Sequence, residues 1–160
     1  MQVLETRYCS RTYPLSCPFC ALKKNNVITP SKKNVKSVSL LKKKADAVFS
    51  KWIRVRDKIC FTCGAKDNLQ CGHFIPRSYN SLRYSEINCH AQCIGCNVFK
   101  YGNMAEYAER MEKLYGQGII QKLNRQKRKM KQWKPAELEK IIKKYALNAR
   151  HQANNLLPKL

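Results

Sequence analysis

Apolar residues recur at helical spacing in four stretches of the chain. From Ser39 onward Val48, Phe49, Trp52 and Ile53 fall on one face, which predicts a helix ending near Asp57. Met104, Tyr107, Ala108, Met111, Leu114 and Tyr115 continue one stripe as far as Gly116, a residue that ends helices because it turns left-handed without steric cost. Asn103 and Glu106 stand at the spacing of a capping pair before that stripe. Ile119, Ile120 and Leu123 open a third helix, which runs into Arg125-Gln126-Lys127-Arg128-Lys129. Pro135 suits a first helical position, where its missing N–H is not needed, and Leu138, Ile141, Ile142 and Tyr145 follow on one face.

Between residues 58 and 102 this period disappears. Leu69 to Pro76 reads as a short strand, and a polar turn from Arg77 to Asn80 follows it. In Glu86-Ile87-Asn88-Cys89-His90-Ala91 polar and apolar residues alternate. A strand has a period of two, so Glu86, Asn88 and His90 share one face, and Ile87, Cys89 and Ala91 share the other. A short helix beginning near Asn97 completes a strand–strand–helix unit. The expected class is α+β, a cysteine-clipped ββα core flanked by basic α-helices. Three regions are expected: a basic, cysteine-containing extension over 1–38, a helix plus ββα core over 39–103, and a basic helical region over 104–160.

Charge changes this picture by naming a partner. The 160 residues carry 32 Lys and Arg against 10 Asp and Glu, a formal charge of +22. Residues 1–44, 45–103 and 104–160 contribute +9, +4 and +9. Such a chain repels itself unless a polyanion is close, which makes nucleic acid the leading partner. A membrane surface fits less well, since no lipid-binding apolar face accompanies the charge. No apolar run reaches transmembrane length. The opening Met1-Gln2-Val3-Leu4-Glu5 lacks the apolar stretch of a secretory signal, so a reducing, cytoplasmic setting is expected.

In that setting nine cysteines, an odd number, argue for metal rather than disulfides. Cys60-Phe61-Thr62-Cys63 and Cys93-Ile94-Gly95-Cys96 are two knuckles separated by 29 residues. Each offers two thiolates from one tight turn, and together they satisfy a tetrahedral Zn²⁺. A closed four-cysteine site has no open position, so this zinc holds the fold and does not catalyse. Cys71 and Cys89 read as small buried apolar residues. Cys17-Pro18-Phe19-Cys20 is a further knuckle and Cys9 a possible third ligand of a second zinc, with no fourth ligand evident nearby.

The loop that the knuckles close contains Gly72-His73-Phe74-Ile75-Pro76, Asn88-Cys89-His90, and Cys96-Asn97 with Lys100 one helical turn later. This pattern resembles the HNH, or ββα-metal, nuclease superfamily. More closely it resembles the NinG/Rap recombination protein family of lambda-like phages. That likeness is carried by Cys60-x-x-Cys63-Gly64, Gly72-His73, Leu82-Arg83-Tyr84, Asn88-x-His90-x-Gln92-Cys93, Cys96-Asn97 and Lys100-x-Gly102-Asn103. It covers about residues 45–145, and the knuckles with a trailing Asn are also similar to phage junction resolvases of the endonuclease VII type.

The resemblance implies a structure-selective DNA endonuclease of phage recombination, at work in the cytoplasm of the bacterial host. It would hydrolyse phosphodiesters of branched DNA, such as a Holliday junction or D-loop, with Mg²⁺ or Mn²⁺. His73 matches the general base, Asn88 the residue that orients it, and Asn97 a ligand of the catalytic ion. Many superfamily members have Asp directly before the catalytic His, where this chain has Gly72. The expectation is that His90 or Glu86 supplies the missing ligand. Arg77, Arg83, Lys100, Arg125, Lys127, Arg128 and Lys129 are the expected DNA contacts, and paired cuts across a junction imply a homodimer. The competing reading is a non-catalytic, zinc-stabilised accessory factor that binds nucleic acid; His73 beside Asn97 separates the two, because binding alone needs no base.

Overall fold

Residues 37–154 are described by the computed structural model, and everything in them is built around a sheet of only two strands. Strand β1 (Leu69–His73) pairs antiparallel with β2 (Cys89–Cys93). The register sets Gln70 opposite Gln92, Cys71 opposite Ala91, Gly72 opposite His90 and His73 opposite Cys89. Residues directly opposite share a face. Leu69, Cys71, His73, Cys89 and Ala91 therefore point one way, and Gly72, His90 and Gln92 the other.

Each face has its own helix pair. Helix α1 (Val38–Asp57) buries Leu41, Ala45, Phe49 and Ile53, a row of four-residue steps. Lys58, left-handed at φ 62°, ends it by returning its N–H to the Arg54 carbonyl. The row packs with Tyr84, Cys89 and Ala91 and with Leu138 and Tyr145 of α4 (Pro135–Asn154). Phe49 meets Tyr84 and Tyr145 edge-on at 5.7 and 4.8 Å. On the other side Tyr107 and Met111 of α2 (Met104–Tyr115) pack with Ile119 and Leu123 of α3 (Ile119–Lys127), and with Phe74, Ile75 and Leu82. The result is three layers, helices on both sides of a hairpin too small to be stable alone.

The α+β class and the four helices match the expectation, while three details differ. β1 stops at His73 and β2 starts at Cys89, because Asn88 takes over where the ladder ends. Its side-chain oxygen accepts the Ile75 N–H at 2.8 Å, and its amide donates to the Ile75 and Leu82 carbonyls. Glu86 thus lies in a turn before the strand, and the alternation does not extend to it. The short helix after the second knuckle is a single wide turn, Gly95–Phe99, in which the Lys100 N–H reaches back five residues to the Gly95 carbonyl. Asn103 makes no side-chain cap for α2; with φ 46° it ends a left-handed run that includes Tyr101 and Gly102. Glu106 pairs instead with Arg110.

Gly72 has a physical reason of its own. A Cβ there would fall inside the buried Gln92 side chain, whose amide is fixed by bonds to the Gly102 carbonyl at 2.7 Å and the Thr62 hydroxyl at 3.3 Å. Space that an Asp would need is filled from the partner strand. Gly72→Ala is expected to cost about 1–3 kcal/mol of stability, the usual penalty for overpacking, read as a lowered denaturant midpoint.

Candidate functional site

Four cysteines converge where the two knuckles meet. The sulfurs of Cys60, Cys63, Cys93 and Cys96 all lie within 4.8 Å of one another. Thiolates about 2.3 Å from a tetrahedral zinc ion stand about 3.8 Å apart, and Cys63 Sγ is 3.6 Å from Cys93 Sγ. Gly64, left-handed at φ 78°, lets the first knuckle fold back on itself, and the Cys96 N–H points at Cys93 Sγ. Burial opposes ionisation of Cys60, yet the Thr62 hydroxyl and surrounding backbone N–H groups bring its thiol down to about 6. Cys63 has the Ala65 backbone in its favour, but the other thiols push it up to about 12. Four thiols this close cannot all ionise unless a cation sits among them, so the donor set fits structural zinc. Cys9, Cys17 and Cys20 lie outside the described residues.

Next to the clip is a recess of about 730 Å³, walled by α1, β1 and the wide turn. His73, Asn97, Arg77 and Arg83 all line it, as do Asp46 and Gln70. His73 is the last residue of β1 and faces α1. Its Nε2 donates to the Arg83 carbonyl at 3.2 Å, since a carbonyl only accepts, and this leaves Nδ1 with the lone pair. Burial, helped by Arg77, lowers the His73 pKa, against the pull of the Arg83 and Cys71 backbone. A neutral imidazole with one orienting bond has the form of a base at pH 7. Asn97 donates its amide to Gln70 Oε1 at 2.7 Å, and its own oxygen has no protein partner among the described residues.

Arg83 donates through Nε and Nη2 to the two carboxylate oxygens of Asp46, which reaches it from α1, and through Nη1 to the Arg77 carbonyl. Asp46 is the one carboxylate lining the recess among the described residues and was not among the expected site residues. No local pattern marks it, because its partner lies 37 residues away. Asn88 makes no hydrogen bond to His73 among the described residues. It fixes the backbone at Leu82, one residue before the carbonyl that holds the imidazole.

Glu86 and His90 are elsewhere, which removes them as ligands of an ion in this recess. His90 pairs with Gly72 and therefore occupies the opposite face from His73. Both its nitrogens are engaged, Nδ1 with the Tyr107 hydroxyl at 3.0 Å and Nε2 with the Tyr115 hydroxyl at 2.9 Å, and its ring stacks on Phe61. Glu86 bonds to Lys144 and Tyr145 of α4. Burial, reinforced by Arg56, pushes the His90 imidazole down to about 4. The unfolded chain therefore takes up that proton first, and stability present above pH 6.5 is lost as the pH falls toward 4. The shift corresponds to about 3 kcal/mol. Urea midpoints measured at saturating zinc should fall less steeply over that window in His90→Phe than in the parent.

The basic residues divide in two. Arg77 is exposed at the recess, whereas Lys100 is exposed just outside its lining. Lys127 of α3 lies over the Tyr79 ring at 4.5 Å, and Asn80 donates to the Lys131 carbonyl. Arg125, Arg128 and Lys129 are exposed on the same helix end. From Lys122 to Lys134 there are seven Lys or Arg and no acid. The turn carrying Arg77 is thereby tied to the end of this basic stretch.

The sequence profile of the family described as Bacteriophage Lambda NinG protein matches residues 22–155. The chain belongs to the NinG family. Among NinG proteins it is 30% identical to protein ninG of Escherichia phage 933W over 108 residues, 64% of this chain and 53% of that protein. It is 31% identical to protein ninG of Escherichia phage lambda over 86 residues, 51% of this chain and 42% of that one. With protein ninG of Salmonella phage P22 the identity is 29%, over 108 residues. The chain thus matches about half the length of these NinG relatives. No solved structure matches it. None of the helices is long and apolar enough to cross a membrane among the described residues.

Proposed function

We propose that this NinG-family chain is a zinc-stabilised, divalent-metal-dependent DNA endonuclease of the HNH type, acting on branched DNA in phage recombination. The observation that carries this reading is the recess, which is lined together by an imidazole with an orienting bond, an amide oxygen with no protein partner among the described residues, and Arg77. His73 Nδ1 accepts the proton of a water that attacks phosphorus. The Arg83 carbonyl keeps the ring turned to receive it, and Asp46 holds Arg83 in place. Arg77 contacts a non-bridging phosphate oxygen.

A hard cation keeps most of its own water and takes few protein oxygens. Asn97 Oδ1 would hold such an ion on the protein side, since both oxygens of Asp46 are already taken by Arg83. When bound, Mg²⁺ or Mn²⁺ supplies Lewis-acid polarisation of the phosphodiester and charge for the leaving 3′ oxygen. Products then carry 5′-phosphate and 3′-hydroxyl ends.

The basic end of α3 supplies affinity through phosphates and is indifferent to sequence. Recognition by shape follows from that, and cutting both strands of a junction requires a second copy. Purified protein incubated with labelled linear, forked and four-way DNA, with and without Mg²⁺ or Mn²⁺, tests the proposal. Ion-dependent cleavage favouring a branched form is expected. Salt-sensitive binding of every form without cleavage under any ion would leave the accessory-factor reading in its place.

A further inference from the structure

Cys71 and Cys89 were expected to be inert packing. The register makes them something else. Cys71 precedes His73 by two residues on the same face, and Cys89 stands directly opposite His73. The two sulfurs and an imidazole nitrogen all lie within 4.8 Å of one another. We infer that Cys71, His73 and Cys89 form a second metal site, selective for a thiophilic divalent cation such as Zn²⁺.

Two thiols and an imidazole are a borderline-soft donor set, suited to Zn²⁺ or Co²⁺ and poorly suited to Mg²⁺, which takes oxygen. Donors around a four-coordinate zinc stand about 3.3–3.8 Å apart, so small side-chain rotations close the set. The imidazole is oriented as metal-binding histidines are, by a bond from one ring nitrogen to a backbone carbonyl, here that of Arg83. The backbone that supplies this carbonyl is fixed by Asn88 through Leu82. Cys71 and His73 both line the recess, so an ion has a way in.

This site differs in kind from the tetrathiolate clip. Three protein donors leave one position for water or an anion, whereas the clip is closed. Binding releases both thiol protons and occupies the His73 lone pair. A consequence, resting on the hydrolytic role proposed for His73, is that Zn²⁺ and water activation compete for one imidazole. Zinc in excess of the clip would then switch cleavage off while Mg²⁺ is present.

The test is a Co²⁺ titration of the zinc-free full chain, followed by thiolate-to-cobalt charge-transfer absorption and by bound-metal analysis. Wild type should bind one equivalent more than Cys71→Ser/Cys89→Ser, with an added charge-transfer component that the variant lacks. Cysteines 9, 17 and 20 are common to both proteins and cancel in the comparison. His73→Gln, which keeps both thiols, should lose most of the same component and guards against misfolding of the double variant. Equal stoichiometry and equal spectra in all three proteins would overturn the site. Separately, Zn²⁺ added to Mg²⁺-supported cleavage should inhibit wild type and spare Cys71→Ser/Cys89→Ser; equal inhibition of both overturns the competition. Failure of wild type to cleave at all would count against the hydrolytic reading and leave the Co²⁺ result standing.

Discussion

Stripping zinc from the protein, or replacing Cys96 with Ser, is expected to unfold the segment from residue 58 to 103 and abolish its cooperative thermal transition. Zinc in small four-ligand sites binds with about 10–16 kcal/mol, comparable to or more than the whole stability of an ordinary domain, about 5–15 kcal/mol. The segment's strands have only five residues each, and its packing on the helices through Tyr84, Cys89, Ala91, Phe74, Ile75 and Leu82 depends on the knuckles that close it. Helices α1 and α4 still have each other through Leu41, Phe49, Leu138 and Tyr145. Circular dichroism during chelation should therefore show tertiary signal lost in full and helical signal lost in part, both returning on addition of zinc. A thermal midpoint unchanged in fully stripped protein would mean that the thiols hold no structural ion.

His73→Ala is expected to lower the single-turnover cleavage rate by about 10²–10⁴-fold, the usual contribution of a positioned base. Junction affinity should be little altered, because the phosphate contacts proposed above are made by Arg77 and the end of α3. The wild-type rate should fall on the acid side of a midpoint below pH 6.5, since burial holds the His73 pKa under its ordinary value and the protonated ring has no lone pair to offer. His73→Ala should lose that acid limb. Asn97→Ala should behave differently, requiring more Mg²⁺ or Mn²⁺ for half-maximal rate while keeping the pH profile. A variant at position 73 that cleaves normally would assign the imidazole to packing.

The parts that could be read from the sequence are those whose cause is local. Helix ends at Asp57 and Gly116 and a start at Pro135 follow from apolar spacing and from single residues with restricted or permissive backbones. The tetrathiolate cluster follows from the spacing of Cys60, Cys63, Cys93 and Cys96. What escaped depends on register. Alternation places Asn88 and His90 together, but it does not say which face His73 will share. Pairing with Cys89 decides that, and it separates the two histidines. Asn88 also imitates a strand with its side chain, so the ladder ends where periodicity alone would continue it. Asp46, and what Gln92 does, escaped for the same reason: each matters through a partner far along the chain, Arg83 in one case and Gly72 in the other.

Gly72 also shows how a departure from a superfamily pattern becomes intelligible. Its small size accommodates Gln92, so a carboxylate at this point would have to displace a buried amide. Asp46 brings a carboxylate to the recess from α1, with both its oxygens taken by Arg83.

The most direct measurement is chemical rescue of His73→Ala with imidazole, in Mg²⁺, at single turnover, on a branched DNA that the wild type cleaves. Free imidazole entering the recess should restore part of the lost rate, in proportion to its unprotonated concentration, with ends identical to those of the wild-type reaction. Cleavage by His73→Ala at the wild-type rate, with no response to imidazole, would show that the proton is taken elsewhere and that the recess is not the hydrolytic centre.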